Sequence, residues 1–96
     1  MKTLTDQQKE ILLIAQEECA EVTQAISKTF RFGLTESYNG KTNQERLEEE
    51  VGDLICMIEL MKDTGIIDPE FVRKGSYSKR SKLEQWSNIF NKEEIA

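Results

Sequence analysis

The sequence predicts an all-α fold: a small antiparallel helical bundle completed by homo-oligomerisation. Three observations carry this expectation. Apolar residues recur at spacings of three and four, the helical period, and do not alternate as in a strand. Thr5-Asp6-Gln7-Gln8 and Thr42-Asn43-Gln44-Glu45 each have the form of a capping box, and Asp68-Pro69 has the order of an N-cap acid followed by a first-turn proline. With 96 residues, the chain reads as a single domain, 1–96, and a chain this size buries only about 60–70% of the surface it exposes when unfolded. A helical chain this short often finishes its core by pairing with another copy.

The first helix is expected from about residue 6 to about residue 29, with Ile11, Ile14, Ala15, Val22, Ala25 and Ile26 as its buried stripe. A loop rich in turn formers follows, punctuated by Gly33, Asn39 and Gly40. The second helix is expected from the Thr42 box to about Thr64, burying Leu47, Val51, Leu54, Ile55, Ile58 and Met61, with Gly65 as its stop. A third is expected from Pro69 to about Asn91 through Phe71, Val72, Leu83, Trp86, Ile89 and Phe90, with Gly75 a point of kinking. No strand, repeat or low-complexity tract is apparent.

Composition removes several function classes. There is no histidine, so the commonest general base is missing and Glu-x-x-His di-iron sites cannot be assembled; any metal should be a hard, oxygen-liking ion. Cys19 and Cys56 lie far apart without metal-ligand spacing and read as reduced, packed thiols. The net charge of −5, from 18 acids against 13 bases, argues against nucleic-acid binding by phosphate neutralisation. No leader and no membrane-length apolar run is visible, so a soluble, cytoplasmic protein is expected.

Acids occupy positions where the helical pattern asks for core. Glu18 falls four residues after Ile14 and four before Val22, in the middle of the apolar stripe; Glu21 lies on its edge, and Glu17 further round. The second helix repeats this arrangement: Glu50 follows Leu47 by three, and Asp53 precedes Met57 by four. Glu45, Glu48 and Glu49 read as solvated charge. Clustered carboxylates on a buried face are unfavourable unless a cation compensates. Magnesium or manganese would do so; salt bridges to Lys28, Arg31, Arg46 or the C-terminal bases are the competing explanation.

Glu17-Glu18-x-x-Glu21, then 28 residues, then Glu50-x-x-Asp53 resembles the EExxE and ExxD signature of the MazG-like branch of the all-α nucleoside triphosphate pyrophosphatases. The segments "AISKTFRFG", "TNQERLEEEVGDL" and "KLEQWSNIF" are similar to small, often phage-encoded members. The resemblance spans nearly the whole chain. It implies a homodimer or homotetramer that uses Mg²⁺, with Mn²⁺ as a substitute, to split a nucleoside triphosphate into monophosphate and pyrophosphate. It further implies Glu18, Glu21, Glu50 and Asp53 as metal ligands and Glu17 as a residue that orients or deprotonates water. Lys28, Arg31, Lys79 and Lys82 would hold phosphates, although solvated charge explains each of these equally well. Phe30, Phe32 and Tyr38 flank the loop that would close over a base, whereas Trp86 reads as core, subunit interface or a stacking platform. The larger relatives carry the motif twice and this chain once, so a complete site would draw on a partner subunit. The alternative is a helical bundle without catalysis, acting as a protein-interaction module.

Overall fold

The computed structural model describes residues 3–90. They form a small, mostly helical domain of three helices: α1 (Asp6–Phe32), α2 (Asn43–Asp63) and α3 (Pro69–Trp86), with two-residue strands β1 (Ser37–Tyr38) and β2 (Lys41–Thr42) between α1 and α2. By internal packing the chain divides into two compact units, Met1–Ile66 and Ile67–Ala96.

Both expected capping boxes are formed. The Thr5 hydroxyl accepts from the Gln8 backbone N–H at 3.0 Å while Gln8 Oε1 accepts from the Thr5 N–H at 2.9 Å, and Thr42 and Glu45 repeat the exchange at 3.1 and 3.0 Å. Gln8 also ties the start of α1 to the end of α2, its Nε2 donating to the Thr64 carbonyl at 2.8 Å. At the other end Asn43 Nδ2 donates to the Gly33 carbonyl at 2.8 Å. The start of each helix is thereby held to the end of the other, which makes α1 and α2 antiparallel.

Between them lies a small core of Ile11, Ala15 and Met57, with Ile14, Met61 and Ile66 packed against it. The expected stripe is only partly covered. Ala25 is buried, but Ile26, Val51 and Ile55 are 43%, 38% and 52% exposed. Two helices cover one sector of each other, and among the described residues of this unit the flanking apolar sectors lack an opposing element. Cys19 and Cys56, expected to be packed, are free thiols on exposed positions for the same reason.

Three details depart from the expected pattern. α1 runs to Phe32, because Gly33 at φ 93° is where the helical path stops. A strand pair is present: Asn39 at φ 54° and Gly40 at φ 82° form the two-residue turn that pairs Ser37 with Thr42 and Tyr38 with Lys41. α3 passes Gly75 as helix but ends at Trp86, short of the expected bound; Asn91 lies outside the described residues. Ser87 is extended and its hydroxyl accepts from the Ile89 N–H at 3.1 Å, a local alternative to the next helical turn.

In the second unit α3 has no buried residue, and Phe71 and Trp86 of its expected stripe are exposed. It carries local pairs, Arg73 with Glu70 at 2.6 Å and Arg80 with Glu84 at 3.9 Å, and Lys74 lies over the Phe71 ring at 5.4 Å. Among the described residues no helix is long and apolar enough to cross a membrane.

Candidate functional site

The facing sides of α1 and α2 form two ladders. On α1 the positions Ile11, Ile14, Glu18, Glu21, Ala25, Lys28 and Phe32 alternate spacings of three and four; on α2 Asn43, Arg46, Glu50, Asp53 and Met57 do the same. Because the helices are antiparallel, the apolar core at Ile11 and Met57 gives way to carboxylates, then to cations, then to the hairpin. One continuous interface therefore changes chemistry along its length.

In its middle, Glu18, Glu50 and Asp53 each bring one carboxylate oxygen to a common place, all three lying within 4.8 Å of one another. Glu18 and Glu50 are half-buried and Asp53 is exposed, so the notch opens to solvent on the α2 side. Glu18 Oε2 is buried and has no hydrogen-bond partner. A carboxylate oxygen in that condition loses its hydration and receives nothing in return.

Electrostatics agree with the geometry. The Glu18 carboxyl is held above the ordinary carboxylate value by its desolvation first, and then by the charges of Asp53, Glu50, Glu21 and Glu17. Glu50 is raised by desolvation, then by Glu21, Asp53 and Glu49, with Lys28 acting in the opposite direction. Ion pairs do not relieve the crowding. The pairs among the described residues are Lys41–Glu49, Lys62–Glu59, Arg73–Glu70 and Arg80–Glu84, and none of them engages Glu17, Glu18, Glu21, Glu50 or Asp53.

The donor set suits a hard divalent cation. All three ligand atoms are carboxylate oxygens, the orphaned Glu18 oxygen is the kind of group a cation satisfies, and the open side leaves room for further oxygen ligands such as water. Glu21 stands outside the triad and lines a smaller hollow of about 150 Å³ with Glu49, Glu50, Lys28 and Arg46. Glu49, expected to be only solvated charge, lines this hollow while pairing with Lys41 at 2.5 Å. Glu17 is exposed and touches the site only through its charge on Glu18.

Of the expected phosphate-binding bases, Lys28 alone lines the site hollows. Arg31 is exposed, its guanidinium 4.9 Å over the Phe32 ring. Lys79 and Lys82 are exposed on α3, in the second unit.

Beyond Lys28 and Arg46 a larger hollow of about 430 Å³ opens, lined by both of these cations and by Phe32, Glu36, Tyr38 and Asn43 among others. The sequence suggests Arg46 only as an ion-pair partner; in the structure its Nη2 donates to the Tyr38 carbonyl at 2.5 Å. The usable signal is its place on the α2 ladder, three after Asn43 and four before Glu50. Scans of the chain against protein families, curated proteins and solved structures found no match.

Proposed function

We propose that the chain is a Mg²⁺-dependent nucleoside triphosphate pyrophosphohydrolase of the MazG-like kind. The observation that carries this reading is the buried, unpartnered Glu18 oxygen beside Glu50 and Asp53 within 4.8 Å. Glu18, Glu50 and Asp53 would hold the cation, with Glu21 adding a carboxylate from the adjoining hollow. Bound there, Mg²⁺ would supply Lewis acidity toward phosphoryl oxygens and reconcile an acidic notch with a polyanionic substrate.

In this reading a water oxygen attacks the α-phosphorus, the bond from that phosphorus to the α,β-bridging oxygen breaks, and pyrophosphate leaves. Glu17 orients that water or accepts its proton. Lys28 lines the hollow beside the acids and neutralises phosphate charge there; Arg31, Lys79 and Lys82 enter on the strength of the motif resemblance alone. Completion of the bundle by a second copy draws support from the exposed Leu13, Ile26, Val51 and Ile55.

Incubating the full chain with Mg²⁺ and each common nucleoside triphosphate and deoxynucleoside triphosphate, dUTP included, and resolving the products by anion exchange tests the reaction. Monophosphate plus pyrophosphate is expected, absent with Asp53→Asn. Diphosphate plus phosphate would assign the wrong bond. No product from any nucleotide would favour the protein-interaction module.

A further inference from the structure

We propose that the 430 Å³ hollow beneath the hairpin is a nucleobase and sugar subsite, with Lys28 and Arg46 spanning from it to the phosphates at the acidic notch. This rests on the reading of the notch as a metal and polyphosphate site, and it assigns the part of the substrate that the notch does not touch.

The two hollows share a wall. Lys28 and Arg46 line both, and Glu50 belongs both to the smaller hollow and to the carboxylate triad. A ligand occupying all three places must be polyanionic in its middle, where two cations and a bound divalent ion meet. Its far end must suit the larger hollow, whose volume falls in the range of small-molecule sites.

The chemistry of that hollow is planar and polar. Phe32 and Tyr38 are 55% and 73% exposed; Arg31 and Arg46 lie over one face of each ring, at 4.9 and 6.0 Å, which leaves the opposite faces for stacking, a contact that tolerates any base. Ser37 and Asn39 offer a hydroxyl and an amide for base edges or sugar hydroxyls, and Asn43, whose Nδ2 is held by the Gly33 carbonyl, offers its amide oxygen. Glu36 stands on the same wall; its carboxylate accepts from amino groups and repels phosphate. That charge fixes the direction of binding, with the base toward the hairpin and the phosphates toward the cations.

The wall is built before any ligand arrives. Asn43 holds the loop twice, its Nδ2 donating to the Gly33 carbonyl at 2.8 Å and its backbone N–H to the Glu36 carbonyl at 2.9 Å. Arg46 holds the Tyr38 carbonyl, and the left-handed Asn39 and Gly40 lock the turn beside it. A site whose donors and rings are already in place loses less ordering entropy on binding.

Calorimetric titration of the full chain in Mg²⁺ compares inorganic tripolyphosphate with the α,β-methylene analogues of dATP, dCTP, dGTP, dTTP and dUTP. At least one analogue is expected to bind about fivefold or more tighter than tripolyphosphate, the ratio that one stacked base supplies. In the exposed-ring variant Phe32→Ala/Tyr38→Ala, with helicity checked by circular dichroism, that preference is expected to collapse to within about twofold while tripolyphosphate affinity holds. A preference that survives the double variant overturns the subsite. So does equal binding of all six probes to the unaltered chain, an outcome that leaves the metal and polyphosphate reading intact. Failure of every probe to bind, tripolyphosphate included, overturns both.

Discussion

The two halves of the α1–α2 interface have the same geometry and opposite chemistry. Toward the α1 N-terminus, Ile11, Ala15 and Met57 close it with apolar contact, and Gln8 bonded to Thr64 seals the end. One to two turns further along the same ladders, Glu18, Glu50 and Asp53 occupy the equivalent positions and leave a buried oxygen unpaired. Helix propensity does not separate the halves, since Glu and Leu are both good helix formers. The difference is that one half is stabilised by exclusion of water, while the other leaves a carboxylate oxygen unpaired, which the proposed function assigns to a cation.

Truncating the closed half should have the largest effect. Met57→Ala removes one of the few side chains in the core, and a loss of about 2–3 kcal/mol in urea denaturation is expected, at the lower part of the range for methionine truncation because the core is shallow. Asp53→Asn, one turn away, should leave cation-free stability unchanged or higher. An equal loss from both would erase the contrast.

A smaller and more diagnostic effect lies in the pH dependence measured in chelator. Glu18 and Glu50 have folded values raised above the ordinary 4.5, so the folded state binds more protons than the unfolded chain over that window. Stability is unaffected by the crowding below 4.5 and should decline as pH rises from there through the raised values. Glu45 has the opposite sign: the Thr42 backbone and hydroxyl lower its value, and the stability it contributes is lost as pH falls below 4.5. The two windows lie on either side of the ordinary value. Glu18→Gln should reduce the upper slope to the part that Glu50 contributes and leave the lower one, and saturating Mg²⁺ should flatten the upper slope. A slope unchanged in Glu18→Gln would remove the carboxylate cluster as its cause.

The fold was legible wherever a local rule acts alone. The capping pairs Thr5–Gln8 and Thr42–Glu45 and the Asp68-Pro69 start need only the residues beside them, and the structure forms each one. The acids of the notch were legible because they interrupt a periodic stripe. The hairpin was not: Asn39-Gly40 has the sequence of a two-residue turn, but its strands are too short to show alternation. Exposure of Ile26, Val51 and Ile55 depends on how much of each helix a neighbour covers, which periodicity does not report. The larger hollow escaped for a related reason. Phe32 and Lys28 sit on α1, Arg46 and Asn43 on α2 and Tyr38 on the hairpin, so it exists only after the two helices have paired.

Thermal melts of the unaltered chain and Asp53→Asn, each in chelator and in excess Mg²⁺ at neutral pH, test the central claim that the open half is a cation site most directly. Since a ligand that binds only the folded state raises its melting temperature, Mg²⁺ should raise that of the unaltered chain and leave the variant's nearly unmoved. Equal shifts in both proteins, or no shift in either, would contradict the account.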